Sequence, residues 1–167
     1  MTVWTNSLME NLLATINKQE SPQPIILPTS LLEILDAGFR EVQSCILFSD
    51  KVYFGLGDLN TDFEKSSYET FLNEININAY TEEAFKDLED LRIGIEFGKR
   101  LLEKLKATYK NQFRVIIRYY LEIDGALWHN DNSECIVRFH SIRPDNDEMF
   151  RKEAIDLVPY EAIMTFE

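Results

Sequence analysis

The chain has 167 residues, of which 45% are hydrophobic and 28% charged, and its formal net charge is −12. This length fits one domain that can bury enough surface to need no disulfide or metal. The negative charge disfavours unaided binding to nucleic acid and docking on anionic lipid, since both carry phosphates that attract Lys and Arg. The sequence has no apolar run of the ~20 residues that cross a bilayer and no pattern of a secretory signal. We therefore expect one cytoplasmic domain over residues 1–167, with no nucleic-acid or membrane partner.

The start of the chain predicts two helices. Apolar residues recur about every four positions over residues 2–19, which is typical of a helix, and the prolines that follow end it. Thr29 or Ser30 is expected to cap a second helix over residues 31–37, and Gly38 to stop it.

A hairpin is predicted next. Two runs rich in β-forming residues lie on either side of Ser49–Lys51, so we expect a hairpin over residues 40–58 with its turn at that point. Residues 59–80 predict mostly loop, with a short strand at 74–77.

The strongest helical pattern follows. Thr81 is a suitable cap, acidic residues fill the first turn, and apolar residues, with Gly98 included, recur at intervals of three and four from Ala84 to Tyr109. Gly94 and Gly98 lie on the same side of this helix. They either let another backbone come close or mark a break into two helices.

The end of the chain predicts three strands, at residues 112–123, 134–142 and 161–166. Residues 143–160 predict a loop with a helical turn near Glu148. The order of elements favours an α+β fold, in which an antiparallel sheet of the N-terminal hairpin and the C-terminal strands packs with about three helices.

The two cysteines, Cys45 and Cys135, both fall in apolar strand-like runs. Buried, reduced thiols are the expected state of such residues in a cytosolic protein. A disulfide between them is the alternative.

Short catalytic signatures are not found in the sequence, and neither are the spacings that bind a phosphate, a metal or a dinucleotide, so no cofactor is predicted. Cys135 and His140 are five positions apart on one predicted strand, which places them on opposite faces and excludes a local dyad. His129 is predicted to lie in a loop, where a solvated imidazole is a more common state than a catalytic one.

One surface stands out as a candidate binding site. Alternation along the strands at 112–123 and 134–142 places Cys135, Val137 and Phe139 on one face of the sheet. The opposite face receives the five candidate residues Arg114, Arg118, Tyr120, Arg138 and His140. Two interpretations are open: the basic residues pair with carboxylates of this chain, with Glu122 the nearest in register, or the face binds an anionic or aromatic group. Its isoleucines indicate that something covers part of it.

Charge is unevenly distributed along the chain. Residues 50–90 hold 11 acids and 3 bases, whereas residues 91–118 hold 8 bases and 2 acids. In size, acidity and α+β pattern the chain resembles the small immunity proteins that neutralise bacterial toxins, a resemblance of class that carries over no residues. It implies a non-enzymatic protein whose acidic surface steers a basic toxin domain towards it. The alternatives are an enzyme that holds a small anionic substrate with the arginines and His140, and a regulatory or scaffold subunit.

Overall fold

A computed structural model describes residues 1–18, 24–52, 54, 57–81, 88–120, 134–144, 150–158 and 160–167. Within them the chain forms seven strands, five α-helices and one 3₁₀ turn. In chain order the elements are β1 (Val3–Thr5), α1 (Ser7–Asn17), α2 (Thr29–Ala37), β2 (Phe39–Val42), β3 (Cys45–Phe48), α3 (Asp62–Leu72), β4 (Ile75–Asn76), the 3₁₀ turn (Ile77–Tyr80), α4 (Glu89–Thr108), β5 (Phe113–Tyr120), β6 (Glu134–Ser141), α5 (Lys152–Ile155) and β7 (Glu161–Phe166).

The strands form a five-stranded antiparallel sheet in the order β1-β7-β5-β6-β4, and β2 and β3 form a separate hairpin. The predicted α+β class is therefore confirmed, with four helices of nine residues or more where about three were expected. The N-terminal hairpin does not join the main sheet. Its aromatic residues instead pack on the core, with Phe48 and Phe139 ring centroids 5.1 Å apart.

Helix α4 packs directly on the core face of the sheet, because two glycines remove the side chains that would hold it away. A Cβ atom added to Gly94 would overlap Cys135 Sγ, and one added to Gly98 would lie 3.2 Å from the ring of Phe166. The helix runs unbroken through both positions. Of the two interpretations of this glycine pair, close approach of the backbones is confirmed.

The helix predicted over residues 2–19 is wrong at its start. Trp4 lies in β1, which pairs with β7, and α1 begins only at Ser7. The side chain of Asn6 accepts a hydrogen bond from the backbone N–H of Met9 and so caps α1. The same amide oxygen accepts from the N–H of Ile163, which joins the helix start to β7. Periodicity alone could not separate these two elements, because Trp4 fits the helical repeat.

The start of α2 also differs from the prediction. Pro28 is its N-cap residue, so neither Thr29 nor Ser30 has the predicted capping role. Gly38 ends the helix with a φ of +74°, as its sequence position predicts.

The predicted hairpin turn at Ser49–Lys51 is wrong. The observed turn is Gln43–Ser44, and both residues have positive φ, at 49° and 60°. Left-handed φ at both central positions matches the right-handed twist of a two-residue hairpin, but the turn usually contains Asn or Gly. Gln43 and Ser44 are not residues typical of such a turn, so the sequence did not indicate the turn at this position.

Residues 59–80 are mostly helical rather than loop, which corrects the prediction for this segment. Thr61 and Glu64 form a capping box at the start of α3, in which each side chain accepts from the other residue's backbone N–H. The short strand predicted at 74–77 is confirmed as β4.

The first turn of the long predicted helix falls on residues 82–87, outside the described residues. Among the described residues, α4 begins at Glu89 and follows Leu88, whose φ is 63°. The Thr81 hydroxyl donates to the carbonyl of Ile77 and so completes the 3₁₀ turn. The helical turn predicted near Glu148 also lies outside the described residues.

Candidate functional site

The register of β5 and β6 brings the candidate residues onto one face, as predicted. Arg114 lies directly opposite His140, and Arg138 lies opposite Ile116. The other face, with Cys135, Val137 and Phe139, forms part of the main hydrophobic core. We call the face that carries Arg114, Arg118, Tyr120, Arg138 and His140 the arginine face.

Part of the arginine face is covered by this chain itself. Ile116 and Ile163 of the sheet pack with Ile155 of α5, and Trp4, Phe150 and Val158 surround them. The cover expected from the isoleucines is thus supplied by residues 150–158, which follow β6, and the side chain of Trp4 packs beside it from the edge strand β1.

Arg114 lies beneath this cover and is fully buried. Its Nε donates to the carboxylate of Glu167 over 2.8 Å, and its guanidinium lies 5.3 Å from the centre of the Trp4 ring. Burial lowers the pKa of Arg114 from its usual value, while the bond to Glu167 opposes that shift. Arg114 is therefore part of the folded core.

His140 is also fully buried, next to Phe150. Burial lowers the pKa of His140 from 6.5 to about 4, and the positive charges of Arg114 and Arg143 act in the same direction. The imidazole is consequently neutral at pH 7. Its Nδ1 lies 3.0 Å from the carbonyl oxygen of Ser141, and its Nε2 has no hydrogen-bond partner among the described residues.

Arg118 and Arg138 lie nearer the rim of the face, and each is 19% exposed. Arg118 donates to Glu161 and stacks 5.2 Å from the centre of the Tyr120 ring. Arg138 donates to Glu74. Burial raises the pKa of Tyr120 above its usual value. The arginines thus pair with carboxylates of this chain, the first of the two interpretations, whereas the predicted partner Glu122 lies outside the described residues.

A fourth arginine forms a network that the sequence did not indicate. Arg143 donates to both oxygens of Glu69, over 2.7 and 2.8 Å, and the side chain of Glu69 is fully buried. The same carboxylate accepts from the backbone N–H groups of Ile46 in β3 and Ser141 in β6.

Asn73, one turn after Glu69, extends the network. Its amide oxygen accepts from the N–H of Phe48, and its amide nitrogen donates to the carbonyls of Ile46 and Phe139. Two side chains, from α3 and its C-terminal cap, therefore satisfy the facing edges of β3 and β6. We call Glu69, Asn73 and Arg143 the bridging network. The only sequence signal for this network was the pair Glu69 and Asn73, two polar residues four positions apart at the end of α3.

Because of this network, α3 has a fixed orientation, and two of its aromatic residues face solvent. Phe63 is 60% exposed and Phe71 is 73% exposed. Exposed rings of this size are common at protein interfaces.

Other kinds of site have less support. Among the described residues, no group of His, Cys, Asp and Glu side chains could hold a metal ion, and none of the described helices is long and apolar enough to cross a membrane. Cys45 and Cys135 are buried, free thiols, as expected. His129 lies outside the described residues.

The family of the chain follows from a comparison with protein-family models. The model described as the Uncharacterized protein PM0498 family matches residues 4–167. The chain belongs to this family. The match to the PM0498 family extends from β1 through β7 and so includes every element that builds the arginine face and the bridging network. No curated protein and no solved structure matches the chain.

Proposed function

We propose that this protein is a non-enzymatic binding protein that holds a basic protein partner, in the manner of an immunity protein that neutralises a toxin. The supporting observation is how its charge is distributed between interior and surface. Arg114, Arg118, Arg138 and Arg143 each form an ion pair with a carboxylate of the same chain. Each pair neutralises one positive and one negative charge, so the net charge of −12 is carried by the rest of the molecule.

A negative net charge of this size affects the association rate constant more than the equilibrium affinity. A negative surface attracts a positive partner over about one Debye length and increases the rate of productive encounter. The same surface repels nucleic acid and anionic lipid, which favours a basic protein as the partner.

The enzymatic alternative requires the arginines and His140 to meet a substrate. Arg114 and His140 are fully buried, and Arg118 and Arg138 already hold carboxylates. A substrate would have to displace both the cover and these ion pairs. A scaffold role differs from the proposal only in the number of partners bound.

The test is affinity capture followed by kinetics. The protein is immobilised, a lysate of the cells that naturally produce it is passed over it, and retained proteins are identified. With the purified partner, the association rate constant is then measured between 0.1 and 1 M salt, where the Debye length falls from ~10 to ~3 Å. We expect a basic partner and a steep fall in rate. Retention of acidic proteins alone, or an association rate constant that does not change with salt concentration, would show the proposal to be wrong.

Gene context offers an independent check. A neighbouring gene for a large secreted toxin would favour the proposal, whereas an operon of metabolic enzymes would favour the enzymatic alternative.

A further inference from the structure

Several exposed apolar side chains lie on α3 and in the chain segment before it. Of the nine large apolar residues exposed among the described ones, four lie between positions 52 and 71: Val52, Phe54, Phe63 and Phe71. Phe63 and Phe71 are eight residues apart with Ser67 between them, so these three lie on one face of the helix, along ~12 Å of its length.

Phe54 lies next to the same helix. Its backbone N–H donates to the hydroxyl of Tyr68, and that hydroxyl donates to the Phe54 carbonyl, both over 3.1 Å. Tyr68 itself packs in a small core with Leu72 and the residues of β3. The backbone of Phe54 is thereby held against α3, while its side chain is 62% exposed.

The helix cannot turn to bury these rings. Its opposite side carries Glu69 and leads into Asn73, and these two residues hold the edges of β3 and β6 through the bridging network. Rotation of α3 would leave the buried carboxylate of Glu69 without its partners, a costly state. The exposure of Phe63 and Phe71 is thus imposed by the fold.

Carboxylates lie at the N-terminal end of α3, next to Phe63 in sequence. Asp58 and Glu64 are exposed, and Asp62, in the first turn of α3, is partly exposed. Hydrogen bonds from the backbone of Thr61 and Asn60 lower the pKa of Glu64 below its usual value, so it is ionised at neutral pH. The surface therefore combines apolar rings with negative charge at the end that carries Phe63.

We propose that the exposed face of α3, with Phe63, Ser67 and Phe71, together with Phe54, is the docking surface for a basic protein whose contact region presents arginines and lysines around an apolar centre. The inference rests on the proposed function and names the surface that performs it. Arginine suits both features, since its planar guanidinium stacks on aromatic rings and pairs with carboxylates. A second copy of this chain is a poor occupant, because it would bring the same carboxylates against one another.

The experiment begins with a photo-crosslinking phenylalanine analogue placed at position 63 or 71 of the full chain, in the cells that naturally produce it. The same analogue at position 26 or 157 is the control, because Ile26 and Leu157 are also exposed apolar residues, at 85% and 81%. We expect basic proteins to crosslink at 63 and 71 and not at the control positions. A crosslink to a basic protein at the control positions alone would overturn the docking surface and leave the proposed function standing.

The crosslinked partner is then purified, and its dissociation constant is measured with two double variants. Phe63→Ser with Phe71→Ser should weaken binding at least ~10-fold, the size expected of aromatic anchors, whereas Ile26→Ser with Leu157→Ser should change it less than ~2-fold. All four sites are exposed, so both double variants should have the melting temperature of the wild type. Equal affinity of the two variants would overturn the surface. Absence of any basic partner, by crosslinking and by affinity capture, would overturn the proposed function as well.

Discussion

Arg143 and Glu69 form an ion pair in which the carboxylate side chain is fully buried and the arginine is 11% exposed. Removal of one partner should be costly, because an unpaired charge would remain inside the protein. We expect Arg143→Ala to lower the free energy of unfolding by ~3–5 kcal/mol. Arg100→Ala is the matched control, since Arg100 pairs with Glu96 at the surface and should contribute less than ~1 kcal/mol. Urea denaturation measures both, and similar losses in the two variants would contradict the role of the bridging network.

The arginine face provides a graded comparison. Arg114 is fully buried, so Arg114→Ala should cost several kcal/mol, on the order of 3. Arg138 is 19% exposed and its partner Glu74 is 37% exposed, so water screens the pair, and Arg138→Ala should cost about 1 kcal/mol or less. Thermal melting of the two variants side by side is sufficient. If Arg138→Ala is the more damaging, the assigned cover of the face is wrong.

His140 should make stability depend on pH. Its pKa is about 4 in the folded protein and 6.5 when unperturbed, so the unfolded chain binds the extra proton between these values. Stability is complete above pH 6.5 and is lost as pH falls towards 4, by about 3 kcal/mol from this group. The urea midpoint should fall over this range in the wild type and fall less in His140→Gln. Equal slopes in the two proteins would argue against a buried neutral imidazole.

The contact between α4 and the sheet can be tested at Gly94. In Gly94→Ala the new methyl group would meet Cys135 Sγ, so we expect destabilisation by ~1–3 kcal/mol even though alanine favours helices. Addition of Cys135→Ala removes the obstructing atom and should recover part of the loss. Chemical denaturation of the single and double variants tests this, and a loss that is simply additive would place the strain elsewhere.

The thiols should be present but slow to react. Burial raises the pKa of Cys45 to about 11 and that of Cys135 well above its usual value, so few thiolates exist at neutral pH. A thiol reagent without reductant should count two thiols in denaturant and react far more slowly in the folded state. A count of zero in denaturant would show a disulfide and refute the reduced state.

The arginine face was predictable because it depends on local alternation. Once two strands pair with their apolar faces aligned, Arg114, Arg138 and His140 must share the other side. The partners of the arginines were not predictable, since Glu74, Glu161 and Glu167 come from distant parts of the chain and no local pattern relates them. The network around Glu69 was unpredictable for a similar reason, because a buried carboxylate on a helix cannot be distinguished in sequence from a solvated one.

Errors in the predicted elements also have particular causes. The capping box of α3 was present in the sequence, but this helix contains few apolar residues, so its composition resembles that of a polar loop. The turn at Gln43–Ser44 adopts left-handed φ without glycine or asparagine. The helix thus had a local signal at its start only, whereas the turn adopts a structure that the local preference of its residues does not favour.

The pairing of β1 with β7 has a consequence for how the chain folds. Asn6 is separated from its partners Ile155 and Ile163 by 149 and 157 positions. Closure of so long a loop opposes early formation of these contacts, so we expect the helices and the β5–β6 pair to form first. Until β7 arrives, one edge of β5 and all of β1 lack a partner, and unpaired strand edges are where partly folded chains join one another. Arrival of β7 pairs the free edge of β5 and the inner edge of β1 in one event, so the same step that completes the sheet removes the unpaired edge at its centre.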